Sequence, residues 1–327
     1  MKRLLRISVI FILTVSSILF FCSCEKGPNP PVVTTTSVSA IANTTATAGG
    51  NVTDDGGAAV TGRGICYSTT ENPTISNNRT ADGSGTGSFT SSLTSLTPDT
   101  EYYVRAYVSN SVGTVYGNQV TFTTLPLEVV TDIDGNTYHA VIIGTQVWMV
   151  ENLKTTKLND GTELRLATND HHWENLNPFH EAYVWYDNDS ASFRTPYGAF
   201  YNWLAVNSGK LCPAGFHVPT DADWTTLISF LGDDVAGSKL KEAGTSHWES
   251  PNSDATNETF FTALPGGICY IDGSFSWFGY DGYWWSTTET DYENSTVYGR
   301  IMQYVSTEVP QYISSTKFGM SVRCLKD

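Results

Sequence analysis

The order of hydrophobic and polar residues predicts two β-rich stretches that follow an apolar leader. Between residue 32 and about residue 124, β-branched and polar residues alternate, and turn clusters such as 54–57 and 82–85 separate the runs. Residues 64–68 and 103–108 are the clearest predicted strands in this part. The pattern is typical of a small β-sandwich.

The second stretch contains the clearest helix signal in the chain. Residues 216–218 have a strand-like pattern, which Pro219 stops. Thr220 and Asp223 then form a near capping box, with Asp in place of the usual Glu or Gln. Because apolar residues follow at helical spacing from Trp224 to Leu231, we expect a short strand followed directly by a capped amphipathic helix.

Residues 1–23 are predicted to be a signal peptide and not part of the fold. Basic residues at 2, 3 and 6 precede an almost wholly apolar run from 7 to 21, which is short for a membrane span. The small Ser23 places cleavage before Cys24, in a pattern that resembles a bacterial lipobox. Cys22 is the weaker candidate, because bulky Phe21 precedes it, and ordinary cleavage without lipid is the alternative.

Lipid on Cys24 would make the protein anchored to a membrane without spanning it. Residues 24–31 would then form a Pro-rich tether. We therefore expect an exported, membrane-anchored lipoprotein, in the outer membrane or at the cell surface of a Gram-negative bacterium.

Composition and charge exclude some functions. Hydrophobic residues make up 40 % of the chain and charged residues 16 %, which indicates folded domains and not disorder. Loss of the three basic leader residues would take the formal net charge from −15 to −18. Binding to nucleic acid or anionic lipid through a basic patch is therefore not expected.

The first stretch resembles a fibronectin type III domain over residues 32–125. Residues 96–102 (LTPDTEY) look like the tyrosine corner of that family, in which a Tyr hydroxyl bonds back to the backbone. Gly113, the turn at 117–118 and residues 120–123 also match the family. We expect Cys66, in a predicted strand of this domain, to be a small buried hydrophobe.

The second stretch, residues 128–327, resembles the Fibrobacter succinogenes major paralogous domain. The resemblance rests on blocks in the family's order. These are 132–138 (DIDGNTY) with 143–153, 197–203 (YGAFYNW), 212–224 (CPAGFHVPTDADW), 263–267 (ALPGG), 282–289 (GYWWSTTE) and 319–324 (GMSVRC).

This resemblance implies a fold and a disulfide but no reaction. It implies an α+β C-type lectin-like domain after the β-sandwich, with the first and last strands paired. A Cys212–Cys324 disulfide would follow, although the residues alone leave three pairings open among Cys66, Cys212, Cys269 and Cys324, and all four could stay reduced. The related formylglycine-generating proteins use paired cysteines before their closing motif. This chain has none between residues 285 and 323, so we expect no enzyme.

Candidate metal sites are weak, and we expect neither metal nor cofactor. Asp132 begins the first half of a calcium loop, but Ile143 stands where the required Glu should be, so a β-turn at 134–136 is the better interpretation. The His and Glu residues between 171 and 181 lack a metal-binding order, and we expect a solvated loop there.

An aromatic-rich, glycine-rich segment at 272–285 is the candidate binding site. Rigid aromatic side chains on such a loop suit stacking on sugars or contact with a protein. The predicted binding residues are Trp277, Phe278, Tyr280 and Tyr283. Trp284 and Trp285 are predicted to lie in the core, one on each face of a strand.

The predicted function is non-catalytic recognition of a glycan or protein ligand by the second domain. One alternative is a hydrolase acting on extracellular polysaccharide, with carboxylates drawn from Glu151, Asp187, Asp223 and Glu289; a pair of buried carboxylates facing a cleft would favour it. Another is a structural component of the cell envelope or of a surface appendage.

Overall fold

The computed structural model describes residues 27–177, 179–290 and 296–327, so the predicted lipid anchor Cys24 lies outside the described residues. The first part is built only from strands: β1 Val32–Thr35, β2 Ala46–Asp54, β3 Gly62–Ser68, β4 Asn78–Arg79, β5 Gly87–Leu93, β6 Glu101–Ser109, β7 Thr114–Tyr116 and β8 Val120–Thr123.

These strands form a two-sheet sandwich. One sheet has the order β1-β2-β5, and the other has the order β4-β3-β6-β7, with β8 also paired to β6. Inward-facing apolar residues such as Ile65 and Val104 are fully buried between the sheets, and Cys66 is equally buried. Burial raises the pKa of the Cys66 thiol to about 11, which agrees with the predicted inert, buried cysteine.

The tyrosine corner predicted at residues 96–102 is confirmed. The Thr97 backbone N–H donates to the Tyr102 hydroxyl over 3.0 Å, and the Tyr102 ring stacks on Phe122 at 5.8 Å between ring centres. This bond holds the chain where it turns from one sheet into β6.

The second part mixes short strands with helices. Its strands are β9 Glu128–Thr131, β10 Thr137–Ile143, β11 Gln146–Met149, β12 Arg165–Leu166, β13 Ala182–Val184, β14 Phe200–Tyr201, β15 Phe216–His217, β16 Ile268–Cys269, β17 Phe275–Ser276, β18 Asp281–Glu289, β19 Thr296–Gln303, β20 Gln311–Ser315 and β21 Leu325–Lys326. Its helices are α1 Asp170–Leu176, α2 Ser190–Tyr197, α3 Trp203–Asn207, α4 Asp221–Leu231 and α5 Ala236–Leu240, with a 3-10 turn at Tyr186–Asn188. Among the described residues, no helix is both long and apolar enough to cross a membrane.

One antiparallel sheet brings the two ends of this part together. Its order is β15-β21-β11-β10-β9, so the last strand pairs with β11 and β15 and not directly with β9. Lys326 reaches across to Glu128, with Nζ 2.7 Å from the carboxylate. The predicted Cys212–Cys324 disulfide is present and closes the same region, while Cys66 and Cys269 are free and buried.

Strand β18 separates two cores and explains the predicted pair of tryptophans. Trp284 packs with Trp148 and Trp224 on one side, and Trp285 packs against Trp203 on the other; Trp284 and Trp285 are both fully buried. Each indole N–H is satisfied, Trp284 by Asn152 at 2.9 Å and Trp285 by the Tyr201 carbonyl at 2.7 Å. The prediction of one tryptophan per face is confirmed.

A turn is present near the predicted position 134–136, but it spans 132–135, since the Gly135 backbone N–H donates to the Asp132 carbonyl over 3.0 Å. It joins β9 to β10, which pair in antiparallel fashion. The buried Asp132 carboxylate accepts from the backbone N–H groups of Asp134 and Asn136 and from the Tyr138 hydroxyl. These internal donors occupy the carboxylate that a calcium loop would use.

Asn43 links the two parts. Its amide donates to the Pro126 carbonyl over 2.5 Å, and its side-chain oxygen accepts from the Ile142 backbone N–H over 3.3 Å. Asn43 is only 5 % exposed, so one buried amide bonds both the connecting segment and strand β10.

Candidate binding site

Two pairs of partly exposed aromatic side chains, Tyr270 with Trp277 and Tyr280 with Tyr304, adjoin the turn at 277–280, and we call them together the aromatic patch. Trp277 is 51 % exposed and Tyr280 is 41 % exposed. The Trp277 indole N–H donates to the Tyr270 hydroxyl over 3.1 Å, and the Tyr280 ring meets the Tyr304 ring edge-on at 5.2 Å. Each exposed ring is therefore fixed by a neighbour.

The backbone under the patch is equally fixed. Trp277 has a φ of 65°, a left-handed conformation that is a true outlier for a bulky residue. Its carbonyl accepts from the N–H groups of Tyr280 and Asp281, which closes a tight turn. Gly279, at φ 83°, bonds outward to the Glu249 N–H and the Pro265 carbonyl. Strain of this kind persists only where the surroundings impose it, and it concentrates at functional sites.

Phe278 lies beneath the turn and not on the surface. Its ring is half-buried and lies within 5.1 Å, centre to centre, of the rings of Tyr186, Phe193 and Tyr197. It therefore anchors the turn to helix α2, with only part of its ring open to a ligand.

The prediction that Tyr283 binds ligand needs correction. Tyr283 is 5 % exposed, its hydroxyl donates to the Asp281 carboxylate over 3.1 Å, and its ring packs edge-on against Tyr312. Burial and the neighbouring carboxylate raise the pKa of this phenol well above its ordinary value. Because Tyr283 is on β18 and no longer in the turn, its side chain belongs to the core.

Beside the patch lies a cleft of about 240 Å³ that sequence reasoning did not predict. Four separate segments meet there, around Val150–Lys154, Arg194–Pro196, Glu242–His247 and Thr262–Leu264, with Arg323 at its base. No local pattern relates these segments, so only the folded chain shows that their side chains share a cavity.

Two glutamates line the cleft, and each holds a histidine. Glu151 lies 2.7 Å from Nδ1 of His139, and Glu242 lies 2.9 Å from Nδ1 of His247. Their side chains are 35 % and 20 % exposed. Both carboxylates can therefore accept hydrogen bonds from a ligand in the cleft.

Three cations also line the cleft. Lys154 Nζ lies 5.5 Å from the centre of the Tyr138 ring, and the Arg194 guanidinium lies 5.7 Å from the Trp185 ring and donates to Asn136 over 3.0 Å. Neither forms an ion pair with any described residue.

The third cation, Arg323, is buried at the base of the cleft. Its guanidinium donates to backbone carbonyls of Met149, Val150 and Phe261 and to the Asn152 side chain. Burial lowers its pKa to about 9, so it keeps its charge at neutral pH without a carboxylate bonded to it.

The segment around residues 171–181 differs from the predicted loop. Residues 170–176 form helix α1, capped by the Asn169 side chain, which accepts from the His172 N–H, and anchored by the fully buried Trp173. The turn that contains Gly273 approaches helix α1 closely, since a Cβ placed on Gly273 would lie 2.3 Å from Asp170 Cα. In the part of the chain that the structure describes, no three His, Cys, Asp or Glu side chains are grouped to hold a metal.

The described chain is thus a β-rich protein whose second part presents a rigid aromatic patch beside a charged cleft. Residues 141–326 match the family model of the Fibrobacter succinogenes major domain, which is more than half of the chain. The chain belongs to this family.

Solved structures similar to this chain contain fibronectin type III-like domains. The sensor domain of the anti-sigma factor RsgI4 from Pseudobacteroides cellulosolvens is 23 % identical, over 30 % of this chain and 98 % of its own, with a TM-score of 0.24. The fibronectin type III domain of human KIAA0970 protein is 15 % identical, over 29 % of this chain and 74 % of its own, with a TM-score of 0.22. The chain matches none of the curated proteins.

Proposed function

We propose that this chain is a cell-envelope lipoprotein whose second part is a non-catalytic recognition head for a glycan or protein ligand. The observation that carries the proposal is Trp277, a large ring that is half exposed while its backbone is held in a strained conformation and its indole N–H is fixed. An exposed ring that is already ordered loses little entropy on binding, which is what an aromatic contact with a sugar face or a partner requires.

The proposed fold of the head is C-type lectin-like. Support comes from the sheet that holds β9, β10, β11 and β21 together and from the disulfide that ties the last strand to Cys212. This arrangement leaves the long irregular segments between α5 and β18 free to form the patch. The remaining proposed parts are the lipid on Cys24, the Pro-rich tether, and the β-sandwich as a spacer.

The hydrolase alternative finds less support. It called for a buried pair of carboxylates facing a cleft, and the cleft does contain Glu151 and Glu242. Both are partly open to solvent and each is paired with a histidine, whereas a general acid usually lies in an apolar pocket. We therefore propose binding without catalysis.

A glycine substitution at Trp277 tests the function. Glycine adopts φ near 65° without strain, so Trp277→Gly removes the ring without straining the backbone. We expect wild-type protein to bind defined ligands on arrays of glycans and extracellular proteins, and the variant to lose at least tenfold in affinity. We also expect the variant to remain folded, because the relief of strain at φ 65° offsets part of the lost ring contacts.

Phe230→Ala provides the matched control. Phe230 is 63 % exposed on helix α4, so its loss removes an exposed ring of similar accessibility outside the patch. Equal loss of binding in both variants, or unchanged binding in Trp277→Gly, would rule out the aromatic patch as the binding surface.

A further inference from the structure

We propose that the cleft beside the aromatic patch is a subsite for the carboxylate of an acidic sugar residue, so that the head recognises a uronic-acid-containing glycan. This inference rests on the proposed function, because it assigns the class of glycan that the same surface takes.

The first support is the unpaired charge in the cleft. Lys154 and Arg194 form no ion pair with any described residue, although the chain carries far more acidic than basic residues. Both cations are oriented by aromatic rings, and Arg194 is also fixed by Asn136. A guanidinium held in place in this way is suited to a planar carboxylate, and it loses little freedom on binding one.

The second support is the buried Arg323 at the base of the cleft. Its described hydrogen-bond partners are the Asn152 side-chain oxygen and backbone carbonyls, so its full charge has no bonded counter-ion. A buried charge acts over a longer range than an exposed one, since little water screens it. Three cations therefore line the cleft together with the two carboxylates of Glu151 and Glu242, of which Glu151 already acts on the charge of Arg323.

Those two carboxylates suit the rest of a sugar. Each sugar hydroxyl can donate as well as accept, and Glu151 and Glu242 supply acceptors in a cavity where Lys154 and Arg194 supply donors. A neutral sugar would leave the two cations without a counter-charge. A free inorganic anion would be repelled by the negative charges of the two glutamates.

The third support for the proposal is that the same segments of the chain hold both the cleft and the aromatic patch in place. Phe193 and Tyr197 of helix α2 pack against Phe278, in the turn that holds Trp277. Arg194 of the same helix lines the cleft. From another segment, His247 lines the cleft and packs edge-on against Tyr197, while the Glu249 N–H donates to the Gly279 carbonyl of the turn over 2.7 Å. A chain of a few sugar units can thus lie on the patch with one acidic unit in the cleft.

A matched pair of trisaccharides tests the proposal: cellotriose, and the same trisaccharide with each C6 oxidised to a carboxylate. Isothermal titration calorimetry at low salt should show at least tenfold tighter binding of the oxidised sugar, falling as salt is added. In the double variant Lys154→Gln, Arg194→Gln the preference should disappear, so that the ratio of the two affinities measured on that variant falls to about one. The double variant Arg165→Gln, Lys317→Gln, which removes two exposed cations that do not line this cleft, should keep the preference.

The outcomes separate this inference from the proposed function. Equal affinity for the two sugars, or a preference that survives in Lys154→Gln, Arg194→Gln, would overturn the acidic-sugar subsite alone. Sodium acetate that displaces the oxidised sugar at equal concentration would show a general anion site and also overturn it. Binding of neither sugar, by wild type and Trp277→Gly alike, would overturn glycan recognition at the patch and the subsite with it.

Discussion

At the scale of single residues, Lys241 is a buried cation that supports the aromatic patch from below. Its side chain has no exposed surface, and Nζ donates to the carbonyls of Gln303 and Ser306 at 3.0 and 2.8 Å. These two carbonyls flank Tyr304, a member of the patch. Burial lowers the pKa of Lys241 to about 8, against a small opposing effect of Asp254.

This shift predicts a specific dependence of stability on pH. Below about pH 8 the lysine is protonated in both states, and burial of its charge costs stability. Between pH 8 and the ordinary value of 10.5, the unfolded chain binds a proton that the folded chain does not, so stability rises with pH. We expect the wild type to gain about 2 kcal/mol over Lys241→Met between pH 7.5 and pH 10 in urea unfolding.

Comparison of the variant with the wild type separates the effect of Lys241 on stability from the effect of the buried tyrosines. Burial raises the pKa of Tyr197 to about 12, and that of Tyr201 is also raised, so both lower stability as pH rises above 10 in wild type and variant alike. Lys317→Met, at an exposed position, is the control and should run parallel to the wild type. Parallel profiles for Lys241→Met as well would contradict the assignment.

At the scale of elements, helix α4 shows how a local sequence signal fixes a joint of the fold. The Asp223 backbone N–H donates to the Thr220 hydroxyl over 3.2 Å, and the Asp223 carboxylate accepts from the Thr220 N–H over 2.9 Å, which completes the predicted capping box. The Asp221 N–H donates to Thr288 of β18. The start of the helix is thus bonded to the strand that separates the two cores.

Removal of the reciprocal bond from Asp223 is expected to lower the stability of the whole second part of the chain. Asp223→Ala deletes the reciprocal bond and should lower the free energy of unfolding by about 1 kcal/mol. Asp223→Glu restores the residue usual in a capping box and should retain most of the stability. Urea unfolding followed by tryptophan fluorescence measures both, and an Asp223→Ala variant as stable as Asp223→Glu would show that the reciprocal bond from Asp223 contributes nothing.

The same scale shows what the sequence could predict and what it could not. The capping box, the tyrosine corner and the alternation of Trp284 and Trp285 depend on residues within a few positions of one another. Helix α1 was missed because its polar residues and flanking Asn and Pro favour a loop, while the burial of Trp173 that stabilises it is a tertiary effect. The cleft has no local signal at all, since Lys154 and Glu242 meet only after folding.

At the scale of the whole molecule, the proposed order is anchor, tether, spacer and head. The buried Asn43 bonds the segment after the β-sandwich and strand β10 of the head, so the described parts are joined by more than a flexible linker. A ligand bound at the patch would then be held at a defined distance from the tether. Attachment of the tether to a membrane would then set the distance of the ligand from that membrane.

Attachment through Cys24 is therefore the decisive prediction at this scale. Growth of cells expressing the protein with radiolabelled palmitate should label wild type and Cys22→Ala, while Cys24→Ala should carry no label, because only the residue after Ser23 is positioned to receive the lipid. The purified Cys24→Ala protein should still bind the ligand of the head with wild-type affinity, since residue 24 is far along the chain from the patch. Label that is retained in Cys24→Ala but lost in Cys22→Ala would show that Cys22 carries the lipid. A wild type without label would rule out the proposal that the protein is a lipoprotein.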